Sequence, residues 1–341
     1  MRISDCGMNT ARRVAGVALM AGLVGLLAGC SSKSDISKSN GRLTIAVIPK
    51  GTTHEFWKSV HAGAVKASRE FDVDIIWKGP LKEDDREEQI KVVDDFRARR
   101  VSGMALAPLD DKALRQPVRS VIRDGIPVLI FDSDLADQGK VSFVATDNAR
   151  GGRMAADHMA RLLGGTGNVI VMRLQAGSAS TTDRENGFLE AIAAHPGIKV
   201  LSSNQYGGVT TESAYRTGEN LLSAFKAAEG GVDGVFCPNE STTFGMLRAL
   251  QTGKLASRVK FVGFDSSDKL AEALRRHEIQ GLVLQDPFKM GYSSVALLVK
   301  HLRGGQIEPR VDTGALMATP ENADQPGVRD RLNPRLDEYL K

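Results

Sequence analysis

The sequence predicts an α/β protein of two Rossmann-like, doubly wound domains, each a parallel sheet between layers of helices. Three observations carry that prediction. Short Val- and Ile-rich runs, apolar on consecutive positions, recur along the chain and suit strands covered on both faces. Amphipathic helical patterns separate them. The alternation fails once, near mid-chain. There 142–146 reads as a strand reached from Phe131 by a short polar loop with no helix, and Asp147-Asn148-x-x-Gly151-Gly152 opens a second run of units. A single closed barrel would keep the alternation unbroken.

Strands read at 43–48, 73–77, 104–107, 127–131, 142–146, 169–172, 235–237, 259–264 and 282–284. The first helix follows from Phe56, Val60, Ala64, Ala67 and Phe71, which share one helical face. Thr52-x-x-Glu55 ahead of it reads as a capping box. Further helices read at 84–99, 111–123, 149–163, 183–194, 212–227, 242–251, 268–277 and 289–302. Gly164-Gly-Thr-Gly167 precedes a strand and opens no helix, so it is a turn and not a phosphate loop.

Residues 1–29 stand outside this pattern. Arg2, Arg12 and Arg13 give a positive start, and the apolar run 14–29 is short for a membrane span. It ends in Leu27-Ala28-Gly29-Cys30, which resembles the lipobox of bacterial lipoproteins. That resemblance implies a leader removed before Cys30, a lipid on Cys30, and a polar, flexible tether over 30–41. The folded part is then exported and held by its lipid at the periplasmic face of a bacterial membrane, or at the outer face of the cell membrane. Whether the membrane is inner or outer stays open.

Loss of the leader removes three arginines and one aspartate, taking the formal charge from +4 to +2. A nearly neutral chain with interspersed signs is not a nucleic-acid surface. Cys6 leaves with the leader and Cys30 is modified, so Cys237 is the one remaining thiol and no internal disulfide can form. The scattered histidines and the lack of C-x-x-C spacing argue against a metal, and no cofactor motif is present. G-x-x-x-x-G-K-[ST] and G-x-S-x-G are absent, so neither P-loop hydrolysis nor a nucleophile elbow is expected, and the chain does not read as an enzyme.

Ligands of open parallel sheets bind at the carboxyl edge, and here those edges are polar. Lys50 and His54 follow the first strand, Asp132 and Asp134 the fourth; Asn239 and Glu240, then Asp265, then Gln285 and Asp286 follow three later strands. An Asp or Asn at such a position can instead be a helix N-cap. Phe56 fits the core stripe of the first helix, whereas Trp57 lies one position off it. Lys50 can equally be a solvated turn residue.

The order and spacing of several motifs resemble the type I periplasmic binding proteins of sugar ABC transporters, the ribose-binding-protein group in particular, over residues 42–318. The motifs are His54-Glu-Phe56-Trp57, Ile126-Pro127-Val with Asp132, Thr146-Asp147-Asn148 with Gly151-Gly152, Asp183-Arg184-x-x-Gly187-Phe188, Asn239 in Phe236-Cys-Pro-Asn-Glu240, Val262-Gly263-Phe264-Asp265, and Gln285. The resemblance implies two lobes joined by a three-strand hinge, with crossings near Asp147, Gln285 and Arg310. The first lobe would comprise 42–146 and 286–310, the second 147–285 and 311–341. It also implies a monomeric receptor that encloses a monosaccharide and delivers it to the membrane subunits of an ABC permease. Phe56 and Trp57 would cover sugar ring faces. Asp132, Arg184, Asn239, Asp265 and Gln285 would bond hydroxyls, and His54 and Lys50 would stand at the rim or ring oxygen. Ser133 where the ribose binders carry Arg, together with Lys50 and Pro238, departs from the ribose pattern. Ile48-Pro-Lys50, Lys78-Gly-Pro80 and Cys237-Pro238 resemble rhamnose-type binders and the receptor for the furanosyl autoinducer. The sugar's identity therefore stays open, as does a sensor of a sugar or furanosyl signal feeding a chemoreceptor or sensor kinase.

Overall fold

The computed structural model describes residues 41–136 and 139–340. The expected leader over 1–29 and Cys30, the expected lipidation site, lie outside the described residues.

From the N-terminus come β1 (Thr44–Ile48), α1 (Glu55–Phe71), β2 (Asp74–Trp77), α2 (Arg86–Ala98), β3 (Gly103–Leu106), α3 (Arg115–Arg123), β4 (Val128–Phe131) and β5 (Phe143–Ala145). The second run is α4 (Asn148–Leu162), β6 (Thr166–Arg173), α5 (Ala179–Ile192), β7 (Gly197–Tyr206), α6 (Thr211–Ala224), β8 (Gly234–Phe236), α7 (Glu240–Thr252), β9 (Lys260–Phe264), α8 (Asp268–Arg275) and β10 (Gly281–Leu284). The chain closes with α9 (Pro287–Leu302), β11 (Arg310–Asp312), β12 (Leu316–Ala318) and α10 (Pro326–Leu332).

These strands form two six-stranded sheets of equivalent order, β11-β5-β4-β3-β1-β2 and β12-β10-β9-β8-β6-β7. Nearly all pairings are parallel; β12 runs antiparallel to β10. Each sheet is covered on both faces, which is why its central strands are apolar at every position. In the first lobe Val60, Met290 and Leu298 pack on one face, and Phe96, Val118 and Val121 on the other. In the second, Met159 and Phe188 face one side, and Leu221, Met246 and Leu270 the other.

The chain passes between the sheets three times, from β5 to α4, from β10 to α9, and from β11 to β12. The third passage comes after Asp312, not at Arg310, because Arg310–Asp312 still pairs with Phe143–Ala145.

The two lobes repeat one packing device. A Cβ on Gly63 of α1 would lie 1.9 Å from the Phe288 carbonyl oxygen of α9, and one on Gly291 would lie 1.9 Å from the Val60 carbonyl oxygen. In the second lobe Gly152 and Gly187 stand in the same relation to Arg184 and Ala149, at 2.0 and 2.2 Å. Only hydrogen as a side chain allows these backbones to meet.

Three local expectations are corrected. The capping box at Thr52 and Glu55 does not form: His54 is the N-cap of α1 and makes no side-chain cap bond, while the Thr52 hydroxyl donates to the Pro80 carbonyl oxygen. Helix α5 begins at Ala179, four residues before the expected start at 183, because Ser178 takes the N-cap position. Strand β7 went unrecognised because it is an edge strand, largely exposed and rich in polar residues, and so shows no apolar run.

Candidate ligand-binding cleft

Helices α1 and α5 follow the first strand of their respective lobes and point their N-termini at the opposite lobe. Gly63 is the ninth residue of α1 and Gly187 the ninth of α5, so the helices share one register. In that register His54, Phe56 and Trp57 correspond to Ser178, Ser180 and Thr181. The strand ends complete the site. Asp132 after β4 and Asp265 after β9 occupy equivalent positions, both with positive φ (60° and 68°). Asp tolerates this left-handed backbone better than bulkier residues do. The turn aims each carboxylate back over its sheet edge.

All nine residues expected from the sequence line one cavity: Lys50, His54, Phe56, Trp57, Asp132, Arg184, Asn239, Asp265 and Gln285. Glu83, Ser180, Thr181 and Glu240 complete its wall. Free space there is about 20 Å³, room for about one water, so anything larger enters only when the lobes part. A larger cavity of about 450 Å³ lies alongside and shares Phe56, Asp265 and Gln285. Its remaining wall is mostly α1, the C-terminal segment and exposed Lys58 and Asp268. The smaller cavity gathers the buried charges and is the candidate site.

Its centre is a chain of charges. Lys50, 3% exposed, pairs with Asp132 at 2.7 Å and donates to Ser180 of the other lobe at 2.9 Å. It is a buried bridge, not a solvated turn residue. Arg184, 2% exposed, donates from Nε to Asn148 Oδ1 (2.8 Å) and from Nη1 to the Pro238 carbonyl oxygen (3.0 Å). Its guanidinium lies over the Phe264 ring, 4.2 Å from the centroid. Asp132 and Asp265 flank it at 4.0 and 3.9 Å. Nη2 of Arg184 and Oε1 of Gln285 are buried without a hydrogen-bond partner among the described residues. Gln285 donates to Asp265 at 2.7 Å. Asp265 does not cap α8, since Ser267 does; its Oδ2 accepts from the Glu240 N–H.

The aromatic pair divides differently from expectation. Trp57, though off the helix's apolar stripe, is 2% exposed and packs edge-on to Phe56 and Phe131. Its indole N–H donates to Glu83 at 2.6 Å. Phe56 borders both cavities. Asn239 is the N-cap of α7, and its amide is engaged with Thr242 and Ser241 in its own turn.

His54 Nδ1 lies 3.0 Å from Glu83 Oε1. Burial disfavours the imidazolium, but the bond and charge of Glu83, with Glu240 and Asp265 behind it, outweigh burial and raise His54 to about 9. Burial likewise opposes the Glu83 carboxylate, and His54, Lys50 and the Trp57 N–H overcome it, lowering Glu83 to about 2. For Glu240 burial wins and raises it to about 7, although His54 and two backbone N–H groups favour its charge. Burial also raises Asp265 against the pull of Arg184. Four carboxylates thus face Lys50, Arg184 and a protonated His54. Acceptors in excess, with buried donors left over, suit a neutral ligand whose hydroxyls both donate and accept. Among the described residues no group of three or more His, Cys, Asp or Glu could hold a metal ion.

Sequence reasoning missed Glu83, Ser178 and Ser180. Glu83 lies in the acidic stretch Lys82-Glu-Asp-Asp85, which resembles any solvated helix start. The hydroxyl string at 178–182 reads as loop; aligning α5 on α1 through their glycines would have exposed it.

Residues 45–306 match the periplasmic binding protein domain family. The chain belongs to this family. Among its relatives, the ribose import binding protein RbsB of Haemophilus influenzae is 28% identical over 275 residues, covering 81% of this chain and 91% of that protein. The D-allose-binding periplasmic protein of Escherichia coli is 25% identical over 77% of this chain and 86% of its own. A carbohydrate solute-binding protein of Agrobacterium radiobacter in complex with D-arabinose superposes with a TM-score of 0.81 at 32% identity, covering 86% of this chain and all of that one. An Agrobacterium vitis solute-binding protein with bound D-fucose gives 0.81 at 31% identity, covering 85% and 100%. This periplasmic binding protein therefore has the two-lobed type I architecture, and its relatives are sugar-binding proteins of import systems, not enzymes.

Proposed function

We propose that this chain is the receptor of a sugar importer, enclosing a monosaccharide between its lobes and presenting the closed form to an ABC permease. One observation carries the reading. Asp132, Arg184, Asp265 and Gln285, drawn from the strand ends and helix starts of both lobes, are buried around one cavity with bonding capacity left over. Hydroxyls of a sugar supply both the donors that Asp132 and Gln285 accept and the acceptors that Arg184 requires. Phe56 offers an apolar ring to a sugar's C–H face. The identities of sugars held by relatives favour pentoses and hexoses as first candidates. Lipid attachment at Cys30 after loss of residues 1–29 would tether the receptor beside its permease, and the receptor would act as a monomer.

A thermal-shift screen of the chain against pentoses, hexoses, deoxysugars and polyols tests this reading. A sugar at a hundred times its dissociation constant stabilises by roughly 2.7 kcal/mol, and at least one is expected to raise the midpoint. A flat response to every sugar overturns it.

A further inference from the structure

Helix α1 lacks a cap from its own neighbourhood. The first N–H groups of a helix have no intrahelical acceptor, and the residues preceding α1 leave them unserved. His54, the N-cap, spends its ring on Glu83, and the Thr52 hydroxyl donates to Pro80. The acceptor comes from the other lobe. Glu240 Oε1 accepts from the Glu55 N–H at 3.2 Å and Oε2 from the Phe56 N–H at 3.0 Å.

Glu240 is held for this task. It is the first residue of α7, and its own N–H donates to Asp265 Oδ2 at 3.1 Å. Its carboxylate therefore sits between two helix N-termini, α7 of its own lobe and α1 of the opposite one, and both ends favour negative charge. Any opening that separates α1 from α7 breaks two charge-assisted bonds.

We propose that Glu240 is a closure-positioning residue: it caps α1 in trans, and this contact biases the lobes toward the closed state without help from a ligand. The proposal concerns regulation of the cleft described above and rests on that cleft being the binding site. A protein already biased toward its binding-competent form loses less affinity to the conformational step.

Other inter-lobe bonds that involve neither Glu240 nor α1 allow a clean test. On the first lobe's Asp110–Asp111 loop the Asp111 N–H donates to the Gly177 carbonyl oxygen at 3.0 Å. The Ser180 N–H donates to Ser133 Oγ at 3.0 Å. Amide hydrogen exchange is measured on the full chain with no sugar added, for the native protein, E240A and E240Q. A bond to a charged partner corresponds to about a ten- to hundred-fold change in an equilibrium. In E240A protection at Glu55, Phe56, Asp111 and Ser180 is expected to fall together by about that factor, with the amides of β1 and β6 unchanged. E240Q, which keeps one acceptor oxygen, is expected to fall between. Loss confined to Glu55 and Phe56 shows a local cap only and overturns the proposal, as does loss spread into β1 and β6 or no loss at all. Because no sugar enters the measurement, failure of the sugar reading leaves its result intact, and failure here leaves the sugar screen untouched.

Discussion

At the scale of the residue, Arg184 organises the cleft. It is a fully buried guanidinium whose fork is divided between Asn148, the Pro238 carbonyl and two flanking carboxylates, one from each lobe. Arg184→Met keeps much of the bulk and removes the donors, so sugar affinity is expected to fall about ten- to hundred-fold or more, read by titration calorimetry. Asp132→Asn is expected to weaken binding by a similar factor and to loosen Lys50, its partner at 2.7 Å. Asp132, Asp265 and Gln285 were visible in the sequence because they follow apolar strands at the carboxyl edge, whereas Arg184, inside α5, was visible only through a motif that resembles the sugar-binding family. What could not be seen was their mutual use. Nothing near Lys50 in sequence announces Asp132 or Ser180, and only the closed lobes bring the three together.

At the scale of the element, the paired helices α1–α9 and α4–α5 are set by glycine. Gly63→Ala places a methyl 1.9 Å from a backbone oxygen. Such overpacking costs roughly 1–3 kcal/mol, so the urea midpoint is expected to fall, with α1 and its cleft residues shifted. Apolar periodicity made α1 and the central strands legible, since burial on both faces leaves a continuous run. It failed at β7, whose exposed polar residues carry no such signal, and at the start of α5, where a hydroxyl-rich first turn mimics a loop. The capping box failed for a different reason. The acceptor for α1 lies 184 residues away in sequence, on the other lobe, and no local pattern can report it.

At the scale of the whole molecule, the buried titratable groups make stability depend on pH. His54, raised from 6.5 to about 9, contributes stability that is complete below about 6.5 and is lost as pH rises through about 9. Glu83, lowered from 4.5 to about 2, contributes stability present above 4.5 and lost as pH falls through about 2. Glu185 and Glu240, both raised to about 7 by burial, cost stability as they ionise, a cost that grows above 4.5 and is complete a little above 7. The combined expectation is greatest stability near pH 4.5, falling from there as Glu185 and Glu240 ionise and falling further as His54 loses its proton toward 9. Calorimetric midpoints at a series of pH values check it, and His54→Gln is expected to flatten the decline above 6.5. Two lobes with equivalent sheets, a polar seam between their carboxyl edges and three short crossings suit the proposed parting and closing around a small solute. The most direct test is a crystal structure of the chain with the sugar that gives the largest thermal shift. The account predicts one sugar ring enclosed between the lobes, its hydroxyls bonded to Asp132, Arg184, Asp265 and Gln285. A sugar bound outside that seam, or touching one lobe alone in the closed protein, would contradict it.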